Sequence, residues 1–311
     1  MESIHRTVLL NETIEGLGLP RSKALGTPQS LASGLQVVVD CTFGGGGHSL
    51  EICRKYPDVR IIAIDQDEDA WEKAKNKFED FDCKISFHNA NFRDLDKVLQ
   101  KENIKEVDGI IFDLGLSSDQ LENSGRGFSF MKNESLLMTM KKNPSLEDLT
   151  AIDVVNSWSE KNLADIIYGY GEERFSRRIA KGIVEARKKG KIATTFDLVK
   201  IIGESVPAGY RKGRLHFATK TFQALRIAVN DELGALEAGL QKGFDILKNG
   251  GRMSVISFHS LEDRIVKRFY KTKKKEGLAK LINKKPATVS LRELKENIRS
   301  RSAKLRILEK I

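Results

Sequence analysis

The sequence has 311 residues, 40% of them hydrophobic and 31% charged, with six prolines. That composition is globular and long enough to bury a sizeable core in one or two domains. No apolar stretch approaches the ~20 residues a membrane helix needs, and Met1–Arg6 lacks a secretory-signal layout, so a cytoplasmic protein without a membrane anchor is expected. The formal net charge of +10 favours a polyanionic partner, because every phosphate neutralised by a cationic side chain releases counterions.

Cys41, Cys53 and Cys83 are odd in number and show no C-x-x-C spacing. They read as buried, reduced, small apolar residues, not as a disulfide or zinc framework.

In chain order, the polar stretch Leu19–Gly34 reads as a loop. Val37-Val38-Val39-Asp40 then reads as a buried strand running into Cys41-Thr42-Phe43-Gly44-Gly45-Gly46-Gly47-His48-Ser49. A helix is expected from about Ser49 to Tyr56, stopped near Pro57. A strand over 59–65 closes on Asp65. The next helix is opened by Asp67 and carries Trp71, Ala74 and Phe78 on one face. A strand over 84–88, a short helix around Leu95–Leu99 and a strand over 109–113 ending at Asp113 complete the pattern.

This βαβα rhythm predicts an α/β fold with a doubly wound, mainly parallel sheet. Ligands of such sheets bind at the carboxyl ends of the strands. Asp40, Asp65, Asp113 and the glycine turn should therefore converge on one crevice suited to a ribose diol. Gly44 and Gly46 begin the dinucleotide pattern G-x-G-x-x-G, but Ser49 stands in its sixth place, and no G-x-x-x-x-G-K-[ST] occurs. Asp65 lies nineteen residues after Gly46, as a ribose-binding acid would. An adenosine-type cofactor without a pyrophosphate is favoured, and a nicotinamide cofactor stays open.

After Ser118 the rhythm breaks. Residues 123–144 hold no strand, and 145–206 read as helical, with Ser145 and Asp148 resembling a capping box and Thr195 capping a later helix. Residues 123–216 thus read as an inserted all-helical subdomain between the halves 1–122 and 217–311 of a sheet domain. Ala218 to Leu247 carries one apolar stripe, predicting a long helix kinked at Gly234 or Gly239 and C-capped by Asn249-Gly250-Gly251. Met253–Phe258 and Ala303–Leu308 read as further strands, and 271–285 as a mobile Lys-rich surface segment. The basic runs around Arg174–Lys181, Arg187–Lys191, Arg211–Arg214 and Lys271–Lys275 lie outside the cofactor strands, a split that favours nucleic-acid binding over general solubility.

The motifs Thr7–Glu12, Asp40–Ser49, Asp113-Leu114-Gly115 with Ser117-Ser118 and Gln120-Leu121, Arg126–Met131, Tyr170-Gly171-Glu172-Glu173-Arg174, Thr219–Arg226 and Ser257–Arg264 together resemble the bacterial 16S ribosomal RNA cytosine-N4 methyltransferases. The resemblance runs from about residue 5 to the C-terminus. It implies a Rossmann-like fold dependent on S-adenosylmethionine (SAM), with N4-methylation of a cytosine near the decoding centre. The partner it implies is 16S rRNA in the small ribosomal subunit, and a homodimer is compatible with it. By the same resemblance Gly46, Gly47 and His48 approach the methionine and ribose of SAM, Asp65 takes the ribose hydroxyls, Phe92 flanks the adenine, and Asp113 and Gln120 contact the cofactor. One departure stands out: where the family shows an acid and an arginine, this chain has Leu137 and Thr139, which bears on substrate positioning.

The exocyclic amine of cytosine shares its lone pair with the ring, so an acceptor for its proton would help. Asp113 is the candidate; its competing role is to hold the amino group of SAM. Asp113-Leu114-Gly115-Leu116 lacks the aromatic that generic amino-methyltransferases place here, so another group must hold the base. Phe128 and His259 are candidates, with Phe130 assigned to the core and His259 balanced against a structural role. Arg126, Lys220 and Arg226 are candidate phosphate contacts, the alternative for Arg226 being a salt bridge. No metal-ligand or Ser-His-Asp constellation is evident.

Overall fold

The computed structural model describes residues 7–20 and 35–311. Most of the loop expected over 19–34, and His5, lie outside the described residues. The chain divides into two compact units, one formed by residues up to Gly115 with Leu233–Ile311, the other by Leu116–Glu232.

The first unit is built on seven strands: β1 Val37–Asp40, β2 Arg60–Asp65, β3 Lys84–Asn89, β4 Val107–Asp113, β5 Leu247–Ser257, β6 Ala279–Leu281 and β7 Lys304–Lys310. Their order is β3-β2-β1-β4-β5-β7-β6. β1 to β5 are parallel, and β7 runs against both of its neighbours. Alternation sends successive side chains to opposite faces. Val38, Ile61 and Ile111 pack with α1 (Leu10–Gly16), α2 (Gly47–Lys55) and α3 (Glu68–Ala74). Val39, Ile62 and Ile110 pack with α4 (Leu95–Lys101), α12 (Glu232–Ile246) and α13 (Ser260–Lys275). Two covered faces are why these strands are uninterrupted apolar runs.

Several expectations need correction. Cys53 and Cys83 are joined by a disulfide with Cα atoms 5.3 Å apart, tying α2 to the start of β3. Only Cys41 is a free, buried thiol. A pairing across 30 residues leaves no local spacing signal. The long helix is interrupted at Asp231, which adopts φ +45° between α11 (Thr219–Asn230) and α12. The stripe runs through the break, so periodicity could not reveal it. Gly239 is no kink; a Cβ there would lie 2.8 Å from the ring of Phe92, so it admits close packing.

Asn249–Gly251 is not a helix cap. It belongs to β5, where the pairing with β4 shifts between Val107 and Gly109 and Gly250 takes φ +82°. The Lys-rich stretch is ordered as the end of α13 and β6. The Lys273 ammonium sits 5.0 Å over the Phe244 ring and 5.5 Å over that of Phe269.

The second unit contains α5 (Ser118–Asn123), α6 (Ala151–Ser157), α7 (Glu160–Gly169), α8 (Ser176–Arg187), α9 (Thr195–Ser205), α10 (Ala208–Arg211) and α11. Its core gathers Val154, Leu163, Ile167, Ile179, Ile183, Leu198 and Ile202 with Phe222 and Leu225 of α11. That shared core assigns α11 to the helical unit, whose limits fall outside the expected 123–216. Ser145 and Asp148 do hydrogen-bond, at 2.8 and 3.0 Å, but they close a turn. The capping boxes that open α6 and α9 are Thr150 with Asp153 and Thr194 with Asp197. Thr195 instead ties the preceding loop, its hydroxyl donating to the Lys132 carbonyl at 2.6 Å. Leu137 and Thr139 lie in a segment clamped by Asn230, whose amide donates to the Met138 carbonyl and accepts from the Met140 N–H, both at 2.8 Å. Thr139 is buried.

Candidate active site

β1, β2 and β4 are neighbours in parallel register, so their carboxyl ends place Asp40, Asp65 and Asp113 along one edge of the sheet. Asp40 is 1% exposed. It accepts from the Ser49 hydroxyl at 2.7 Å and the Thr42 N–H at 3.2 Å. Burial outweighs both bonds and pushes its pKa up to about 6. Asp65 accepts from the Gly44 N–H at 2.7 Å and the Asp67 N–H at 2.9 Å. Its pKa is also pushed up to about 6, chiefly by burial and further by the charges of Asp67 and Asp40.

Asp113 is fixed from behind, its N–H donating to the Thr42 hydroxyl at 2.6 Å. Burial, then the charges of Asp40 and Glu262, hold its carboxyl well above the ordinary range. Its Oδ2 lies 3.6 Å from Nδ1 of the buried His48. Its Oδ1 is buried without a hydrogen-bond partner among the described residues.

The glycine turn connects these acids. Gly44 and Gly46 take φ +51° and +75°, the left-handed region that glycine enters without cost. A Cβ on Gly46 would meet the Phe43 ring at 2.8 Å, and one on Gly47 the Thr7 hydroxyl at 1.8 Å. Gly46 is the N-cap of α2, so Gly47 and His48 form its first turn.

Three carboxylates along one edge, Asp40 buried and Asp65 and Asp113 half-buried, repel one another, and a cationic ligand relieves that repulsion. The orphaned Oδ1 of Asp113 needs a donor, since a buried unsatisfied acceptor costs about 1–3 kcal/mol. Each oxygen of Asp65 accepts one backbone N–H and keeps lone-pair capacity for a sugar hydroxyl. SAM, with a sulfonium, an α-amino group and a ribose diol, fits this donor and acceptor set.

The remaining candidates have other local duties. Phe92 packs edge-on against Phe112, centroids 5.4 Å apart, at the start of a 3₁₀ turn, Phe92–Asp94, after β3. Gln120 belongs to the helical unit, where its side chain accepts from the Ser117 N–H at 3.0 Å and completes a capping box on α5. Arg126, expected to meet phosphate, is turned inward and donates to the Met140 carbonyl at 2.7 Å. Phe128, expected to hold the base, is core at 6% exposure, whereas Phe130 stacks on His216 with centroids 4.5 Å apart. Phe130 also packs against the helical core, edge-on to Phe222 with centroids 5.5 Å apart, as expected of it.

Lys220 donates to the Glu172 carbonyl at 2.7 Å. Arg226 is the salt bridge of its alternative reading, bidentate to Glu232 at 2.7 and 2.8 Å. His259 caps α13: its ring accepts from the Glu262 N–H at 3.4 Å while Glu262 accepts from the His259 N–H at 3.2 Å. Thr42 and Ser49 were missed as orienting groups, because only the folded registers bring them to Asp113 and Asp40.

A sheet of this order with β7 reversed, and a glycine turn opposite three strand-end aspartates, defines the Rossmann-like methyltransferase class. Comparison with known proteins narrows the class. The MraW methylase family pattern matches residues 2–311, and the chain belongs to that family of SAM-dependent methyltransferases. It is 47% identical over 274 residues to the ribosomal RNA small subunit methyltransferase H of Persephonella marina, covering 88% of this chain and 92% of that one. It is 47% identical over 276 residues to the protein of the same name from Sulfurihydrogenibium sp., covering 89% and 93%. A crystal structure of an rRNA methylase from Streptococcus thermophilus aligns over 89% of this chain and 87% of that one, with 11% identity and a TM-score of 0.40.

Proposed function

We propose that this protein transfers a methyl group from SAM to N4 of a cytosine in 16S rRNA of the small ribosomal subunit, near the decoding centre. Near-full-length identity to relatives named for ribosomal RNA supports the substrate class. The resemblance set out above supports the cytosine and its amine. The observation that carries the chemistry is Asp113, an elevated carboxyl with one buried, unmatched oxygen at a strand end.

When bound, SAM supplies an electrophilic methyl group on a sulfonium, so the protein's task is chiefly alignment. Asp65 would hold the ribose hydroxyls, and the turn at Gly46 and Gly47 would let backbone come close. Asp113 would either accept from the cofactor's amino group or, its carboxyl being held above the ordinary range, take the proton that the cytosine amine sheds. Thr42 fixes Asp113 from its backbone, and His48 faces its second oxygen. A cytosine within folded RNA must leave its stack to reach such a crevice.

The test is transfer of labelled methyl from SAM to small subunits isolated from cells lacking this protein, followed by nucleoside mass spectrometry. N4-methylcytidine is the expected product. Label in another nucleoside, or in protein, would overturn the assignment.

A further inference from the structure

The helical unit contains a cleft of about 500 Å³ between α7 and the start of α8. Sites for small ligands occupy about 300–1,000 Å³. Its wall carries Tyr168, 67% exposed, with Arg174, Arg177 and Arg178, all solvent-facing. One acid, Asp165, shares the lining.

The arginines stand where helix physics disfavours them. Arg177 and Arg178 lie in the first turn of α8, which contains no acid and whose N-cap, Phe175, makes no side-chain cap bond. The positive end of the helix dipole repels cations there by about 0.3–1 kcal/mol each. None of the three arginines, nor Asp165, forms an ion pair among the described residues. Uncompensated local conflict of this kind is characteristic of binding sites.

The surroundings hold the cluster in place. The Arg174 guanidinium lies 4.8 Å from the centroid of Phe175 and 5.0 Å from that of Tyr210. Arg178 lies 5.8 Å over Phe175. Beneath them the buried Glu173 accepts from the Phe175 N–H at 2.8 Å and the Tyr210 hydroxyl at 2.5 Å. The turn that presents Arg174 is pinned by Lys220 and by Gln223, which donates to the Tyr170 carbonyl at 2.9 Å. A Cβ on Gly171 would meet the Lys220 carbonyl at 2.5 Å. Guanidinium forks held this way lose little freedom when they grip phosphate.

We propose that this cleft is a docking subsite for unpaired RNA flanking the target, in which Tyr168 stacks a base and Arg174, Arg177 and Arg178 hold the adjoining phosphates. The proposal rests on the RNA reading above. Arginine pairs well with phosphate oxygens, and an exposed ring stacks any base without selecting its sequence.

The test compares wild type with Tyr168→Ala and with the double variant Arg177→Ala/Arg178→Ala, all surface positions. The probes are an unstructured oligoribonucleotide of mixed sequence, read by fluorescence anisotropy across a salt series, and small subunits in the methylation assay. Loss of the stacked base should weaken oligonucleotide binding about 5- to 150-fold. The double variant should lower the log–log salt slope by about 0.7 per arginine. Both should raise KM for subunits while leaving kcat and SAM affinity unchanged. Wild type that binds and methylates RNA, with variants of equal affinity and slope, would overturn the subsite and leave the function standing. Wild type that neither binds nor methylates RNA would remove the function itself. Variant-sensitive binding of an acidic peptide in place of RNA would reassign the cleft to a protein partner.

Discussion

The crevice of the sheet unit and the cleft of the helical unit are built by opposite means. In the first, acids sit on strand ends, and their positions follow from topology and register. In the second, arginines and rings sit on side chains whose geometry depends on a buried glutamate and a pinned turn. One gathers acids, with His48 3.6 Å from Asp113; the other gathers solvent-facing arginines that form no ion pair among the described residues. The two units thus differ in sign: the sheet crevice gathers acids, and the proposed cleft of the helical unit gathers guanidiniums.

Variants in each unit can break or sharpen that division. The largest effect is expected from Asp113→Asn, which should slow methyl transfer by about 10²–10⁴-fold with RNA affinity retained. Parallel SAM calorimetry separates its two roles: intact SAM affinity would mark Asp113 as proton acceptor, and a joint loss would mark it as the amine's holder. Next comes the Cys53–Cys83 link. Breaking it by Cys53→Ser should cost roughly 3.5 kcal/mol for a 30-residue closure, read as a lower denaturation midpoint that reductant does not lower further. An unaltered midpoint would remove its stabilising role.

Asp65→Asn should weaken SAM binding by about 10–100-fold, the scale of a charge-assisted hydrogen bond, and leave oligonucleotide binding alone. The smallest effect is protonic. A cation binds the ionised forms of carboxyls now held near pKa 6, so SAM should expel protons near pH 6 and bind more tightly from about pH 5 to 7. Calorimetry in buffers of differing ionisation enthalpy reads that release. For the protein without cofactor the sign reverses. These carboxyls hold protons more tightly folded than unfolded, so stability should decline as pH rises from the ordinary 3.8 towards 6.

The acid and glycine crevice was legible because Val37–Asp40, Ile61–Asp65 and Ile110–Asp113 are runs only a doubly covered sheet requires. The burial of Phe128 was not, since it depends on how the loop folds back through Gly127, where a Cβ would stand 2.4 Å from the Ser135 carbonyl. Gln120 reads from the resemblance as a cofactor contact, and His259, from its place at a strand's carboxyl end, as balanced between holding the base and a structural role. Ser117-x-x-Gln120 and His259-x-x-Glu262 also carry the i to i+3 spacing of helix caps, which the structure shows them making. The break at Asp231 had no signal, because the apolar stripe continues across it.

The pairing of basic side chains across the sheet unit changes what the count of 53 Lys and Arg means for RNA binding. Arg252 and Lys280 neutralise Glu309, Arg306 and Lys304 neutralise Asp263, and Lys248 neutralises Asp108. Lys310 donates to the carbonyls of Phe244 and Asp245 at the end of α12. A cation already engaged by an acid neutralises few phosphates and so releases few of RNA's counterions; retention on a phosphate-bearing resin should track the solvent-facing cations without an acid partner, and a simple tally of Lys and Arg would overstate it.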